Sequence, residues 1–191
     1  MLKGRARWIA GFTSTCMIVI GIWWWQWQAP YRTLISFLKA LQKGNIDAIY
    51  ALSLDKEREL GLTKEVVERI YRRCLKPALS HRHIVRIERQ NRSLLIREAS
   101  IPFLLWFEGL NRPIVVGVTR WPGTRNWRIS FSAFAMSITR AFVLRDDYQR
   151  YRLFRNMGLK FWVSPLGSIE DIDVLIMQAT LSSRFRYLQK K

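Results

Sequence analysis

Hydrophobic and polar positions change their period twice along the chain. No charged residue stands between Arg7 and Arg32, and the run from Cys16 to Ile22 is almost wholly aliphatic. A helix rises ~1.5 Å per residue, so roughly 20 such residues cover the ~30 Å hydrocarbon core of a bilayer. Trp8 at one end and Trp23, Trp24, Trp25 and Trp27 at the other sit where an aromatic belt meets the two headgroup layers. The pattern predicts a transmembrane helix over 8–27, with these tryptophans as interface anchors. The apolar core ends in three tryptophans and a glutamine rather than the small residues of a cleavage site, so it reads as an uncleaved signal-anchor. Cys16 lies inside that core, which sets aside a lipoprotein signal.

The period then becomes helical. Pro30 suits the first turn of a new helix, in which Tyr31, Leu34, Ile35, Leu38 and Leu41 recur on one side and Gly44 ends the run. Asn45 caps a short second helix that carries Ile46, Ile49 and Tyr50. Residues 53–61 are polar and read as a loop. Thr63 caps a third helix, with Leu62 and Val67 spaced as a hydrophobic staple; Val66, Val67, Ile70 and Cys74 face inward, and Pro77 stops it.

From His83 onward the period is two. Residues 83–89, 94–108, 113–121 and 127–136 read as four antiparallel strands, with turns at 90–93, 109–112 and 122–124. Pro102 marks a bulge or an edge. Helical spacing returns at 137–157, closed by Gly158, and a last helix opens at Ser168. The stretch 158–167 is the expected hinge. The predicted fold class is α+β: the N-terminal transmembrane helix, three helices packed on a curved four-stranded antiparallel sheet, and two C-terminal helices added. The corresponding segments are a short basic segment 1–7, the span 8–27, an α+β domain 31–136 and a helical extension 137–191.

Composition adds a partner class. The chain of 191 residues has 32 Lys+Arg against 14 Asp+Glu, a net charge of +18. An anionic partner is implied: nucleic acid, acidic lipid headgroups or an acidic protein. Lys3, Arg5 and Arg7 precede the apolar segment with no acid among them. The positive-inside rule then leaves the N-terminus in the cytoplasm and places the domain outside the plasma (inner) membrane. Two cysteines, Cys16 and Cys74, give no disulfide framework.

The order of three helices and four antiparallel strands resembles the nuclear transport factor 2-like superfamily. LKALQKGNIDAIYAL is similar to the opening of that family, a helix ending at Gly followed by an Asn-capped short helix. RWPGTRNWRISF is similar to its closing hairpin. The resemblance covers residues 31–136. It implies a cone with a cavity between sheet and helices, used by isomerases and dehydratases in some members. In others the cone is filled and serves partner binding, as in membrane-anchored periplasmic subunits of type IV secretion systems.

Chemical motifs are sparse. His81 and His83 form an H-x-H pair with no third ligand nearby, and Arg82 and Arg86 repel a cation, so no metal site is assigned. Ser36 to Lys39 fits S-x-x-K without its companion motifs. No Gly-rich phosphate loop occurs. Glu98 and Glu108 flank the long apolar strand and read as solvent-facing. No catalytic residue and no cofactor are assigned. The basic residues carry the strongest signal: Arg69, Arg72, Arg73, Lys76, Arg86 and Arg97 in one stretch, and Arg145, Arg152 and Arg155 in another. They are the expected contacts to an anionic surface or partner, and a tethered domain favours lipid headgroups over nucleic acid. The reading is therefore a non-enzymatic single-pass membrane protein that binds a protein partner and the membrane surface in an envelope or secretion assembly. The alternatives are a small-molecule-binding or isomerase-like domain using the cone cavity, and a membrane-tethered nucleic-acid binder. A carboxylate or histidine lining an open apolar pocket is what separates the enzyme from the binding module.

Overall fold

A single helix, α1 (Leu2–Lys43), runs straight through the predicted boundary at Pro30. In this computed structural model the described residues are 2–90, 100–120, 124, 126–163 and 169–188; for 2–16, 18, 19, 22, 163, 169 and 183–188 the description is of the backbone alone. Pro30 removes one donor from the helical ladder. Donors from the following turn serve carbonyls nearby: Thr33 Oγ1 donates to the Ala29 carbonyl at 3.1 Å, and the Arg32 guanidinium to that of Trp25 at 2.9 Å. The expected new helix at Pro30 is thus the second half of α1. Leu34, Phe37, Leu38, Ala40 and Leu41 are its buried face.

Among the described residues no helix is long and apolar enough to cross a membrane. This corrects the transmembrane helix over 8–27. With it go the signal-anchor, the cytoplasmic 1–7 segment, the single-pass topology and the plasma-membrane location with an extracytoplasmic domain. The strongly apolar run, Cys16 to Ile22, makes only about 10 Å of helix, against the ~30 Å a bilayer core needs. Serine, threonine and glycine precede it and tryptophans follow. Trp24, Trp25 and Trp27, three of the expected anchors, make contacts within the chain. Trp24 and Trp27 stack with centroids 5.6 Å apart. The Arg32 guanidinium lies 3.5 Å from the Trp25 ring and that of Arg89 lies 4.6 Å from Trp27. Arg89 also donates to the Trp27 carbonyl at 3.2 Å, which fastens α1 to the sheet. Trp23, Trp24 and Trp25 are exposed; the side chain of Trp8 lies outside the described residues.

The helix starts and stops read from the sequence are largely realised. Gly44 sits at φ 65°, and Asn45 accepts from the Ala48 amide to cap α2 (Ile46–Leu52). Residues 53–61, expected as a loop, include α3 (Asp55–Glu59), whose Glu57 is fully buried. Thr63 caps α4 (Lys64–Ile70). A π-helical turn (Tyr71–Leu75) follows, and the helix continues through Pro77 as α5 (Lys76–Leu79). In the widened turn the Lys76 amide bonds to the Tyr71 carbonyl five residues back, so the chain reaches Pro77 without breaking.

The sheet is an antiparallel meander in the order β1 (Ile84–Arg89), β2 (Ser100–Phe107), β3 (Ile114–Thr119), β4 (Arg128–Ile129). Alternation in β2 buries Ile101, Phe103, Leu105 and Phe107 on the inner face. Pro102 causes no break. Its carbonyl accepts from Gln90 just past the end of β1, so its missing donor points where pairing has already stopped.

The fourth predicted strand, 127–136, is mostly helix. Only Arg128–Ile129 pair with β3, and α6 (Phe131–Phe142) begins at once. Ser130 and Ser132 supplied the polar half of the apparent alternation. Ser130 is instead the N-cap of α6, and Ser132 bonds to Glu57. Residues 131–136 are all buried, so α6 is a central helix, for which period two carries no meaning. The predicted helix over 137–157 is therefore split at 143–146, where Asp146 caps α7 (Asp147–Asn156). The expected hinge holds β5 (Phe161–Val163), which pairs with β6 (Ile169–Asp171) before α8 (Ile172–Leu188). Ser168 lies outside the described residues.

Candidate ligand-binding pocket

The site begins with how α6 is held. Glu57 reaches across from α3 and accepts from the backbone amides of Phe131 and Ser132, both at 2.9 Å. It also accepts from the hydroxyls of Ser130 at 3.1 Å and Ser132 at 2.5 Å. Burial pushes this carboxyl above its ordinary value of 4.5, while the Ser132, Phe131 and Ser130 hydrogen bonds pull it back down. Its acceptor capacity is spent on four donors, so it fixes the start of α6 and has nothing left for a ligand. The sequence showed Glu57 only as one more charge in a polar run.

So anchored, α6 brings Phe134 against Phe37 of α1, edge to face with centroids 5.2 Å apart. A cavity of about 420 Å³ remains between these helices and the sheet. Its apolar walls are Leu38 and Leu41 from α1, Leu75 and Leu79 around the π-turn, Ile84 from β1, Phe107 from β2 and Phe134. Tyr71 also lines it, with its hydroxyl already donated to the Leu41 carbonyl at 3.0 Å. The mouth is polar: Gln42, Ser80, Lys76, Arg82 and His83, all exposed. None of the described lining residues is acidic. The volume lies within the range of small-molecule sites, and π-turns recur at functional sites; here one places Tyr71 and Leu75 on the cavity wall.

Arg82 separates this pocket from a second, shallower cleft of about 640 Å³. Its guanidinium donates to the Ala78 carbonyl at 2.9 Å and lies 4.2 Å from the centroid of the Phe142 ring. Phe142 in turn packs edge to face on Phe107, 5.3 Å apart. The second cleft is lined by His81, Arg145 and Glu108 around Phe142. The two histidines of the H-x-H pair therefore line different cavities. They stand in the turn before β1, where strand alternation does not apply.

The basic residues singled out by sequence have different partners. Lys76 reaches the pocket mouth and Arg145 the second cleft. Arg69 donates to the Met157 carbonyl at 3.0 Å and holds the end of α7. Arg72 pairs with Glu68, Arg86 with Glu88 and Arg155 with Asp173. Arg152 caps the Tyr148 ring at 5.5 Å. Arg73 is exposed on the π-turn, and Arg97 lies outside the described residues. Arg82 and His83 stood out in the sequence only within an H-x-H pair that fits no metal site; the turn at 80–83 brings them to the mouth. Cys74 is buried, and burial raises its thiol, which leaves it an apolar filler. No family model, no curated protein and no solved structure matches this chain.

Proposed function

We propose that this domain binds a slender apolar molecule with one polar end, held between sheet and helices, and that it does so without catalysis. The observation that carries the reading is the apolar pocket with a cationic mouth and no acidic residue among its described lining. A general base tuned by burial would stand inside the apolar part; His83 and Lys76 are exposed at the mouth, and the buried Tyr71 hydroxyl is already donated to the Leu41 carbonyl. The reading accords with a cone cavity of the kind the sequence resemblance implies. Liquid water takes ~30 Å³ per molecule, so about 420 Å³ has room for about fourteen non-hydrogen atoms, the size of a single medium-length chain.

Calorimetric titration of the full chain with straight-chain alcohols from six to sixteen carbons tests this. Affinity rises with each methylene to about twelve carbons and then levels. Leu79→Trp, which fills the pocket from its half-buried wall, weakens every member. Affinity that keeps rising past sixteen carbons, or that ignores Leu79→Trp, contradicts the proposal.

A further inference from the structure

Resting on that reading, we infer that the second cleft is the headgroup subsite of the same ligand. The ligand class is then a single-chain amphiphile ending in a phosphate-like anion, its tail in the apolar pocket and its anionic end across Arg82, between His81 and Arg145. Three observations converge on this. The two cavities share Arg82 as a lining residue, so a molecule emerging from one meets the other at a guanidinium. That guanidinium is already placed by the Ala78 carbonyl and the Phe142 ring, which leaves its order largely established before a ligand arrives.

The third observation is charge. Several arginines neutralise an acid of the same or a neighbouring element, including Arg58, Arg72, Arg86, Arg150 and Arg155. Among the described residues no ion pair engages Lys76, Arg82 or Arg145, the three cations that line these cavities. Cations free of ion pairs thus line both cavities, and Arg82 stands where the two meet. A planar guanidinium with paired donors suits an oxyanion with several acceptors better than it suits a neutral head. Glu108 is the one acidic residue among the described lining of the cleft. It opposes the anion and sets a limit on how much negative charge the subsite accepts. The arrangement predicts discrimination by head group, while the tail supplies the affinity common to all ligands.

The test compares dodecyl phosphate, dodecanol and inorganic phosphate, each titrated into the full chain below the micelle threshold. Dodecyl phosphate should bind at least tenfold tighter than dodecanol, and inorganic phosphate should bind weakly and compete only with the former. Arg145→Ala combined with His81→Ala should bring dodecyl phosphate to within about threefold of dodecanol and leave dodecanol unchanged. The Arg145 carbonyl, which accepts from Arg150, is retained in that variant. Glu108→Gln should tighten dodecyl phosphate alone. Equal affinity for the two chains, or a cleft variant that weakens both alike, overturns the headgroup subsite while the pocket reading stands. Failure of dodecanol and dodecyl phosphate alike removes both. Phosphate competing equally against dodecanol also overturns the inference, because the two parts would then not be distinct.

Discussion

Replacing Glu57 by alanine should remove much of the fold's stability, although the residue lies in a five-residue helix of otherwise charged side chains. The carboxylate serves the amides of Phe131 and Ser132 and two serine hydroxyls, all buried. The hydroxyls can turn to other acceptors, but the two amides are fixed by the helix they begin. A buried donor left unmade costs ~1–3 kcal/mol, so the two together cost about 4 kcal/mol. That is a large share of a typical total of about 5–15 kcal/mol. Glutamine is the sharper probe. It keeps the shape and one acceptor, but turns an NH₂ towards one of the two amides, so its loss should still exceed about 2 kcal/mol. Equilibrium urea unfolding, read by tryptophan fluorescence and far-UV circular dichroism together, gives the numbers. A Glu57→Gln midpoint equal to wild type would refute the reasoning, since the carboxylate would then be a bystander and α6 would be held by packing alone.

Three other outcomes follow from the same geometry. Burial holds Glu57 above 4.5, so between that value and the folded one the native state keeps a proton that the unfolded chain has released. This group's contribution is full below 4.5 and is lost as pH climbs through the folded value; the margin of wild type over Glu57→Gln should shrink with rising pH in urea midpoints, and a margin that grows contradicts the sign. Gly158→Ala should cost more than Gly61→Ala in thermal melts. Both have positive φ, but a Cβ at 158 meets Arg69 at 3.0 Å and Val66 at 3.1 Å, while at 61 nothing lies within 4 Å; equal losses would mean that only backbone conformation matters. Asp173→Asn, which breaks the exposed pair with Arg155, should leave the urea midpoint nearly unchanged.

Capping chemistry was legible because it is local. Gly44, Asn45, Thr63 and Gly158 each act within one turn of their own position, and each does in the structure what its type suggests. The sheet was legible where one face is buried and the other half-exposed, as in β2. The failures share a cause. Around α6 the pattern reports neighbours from all sides, and two serines placed for bonds to Glu57 imitate a strand. In α1 an apolar, tryptophan-rich run imitates a membrane span, while the fold joins it without a break to a helix that packs on the sheet. The pocket was not legible as a set of residues. Its walls come from six separate elements, and its mouth depends on a turn that strand periodicity misassigns.

The central claim is that ligand enters between sheet and helices. The most direct measurement is a methyl-resolved NMR titration of the full chain with dodecyl phosphate. Saturable shifts are expected at Leu38, Leu75 and Ile84, which wall the pocket, with Met17 and Ile20 on the exposed face of α1 unmoved. Shifts confined to Met17 and Ile20 would contradict the claim, and would mean that amphiphiles only coat an apolar helix.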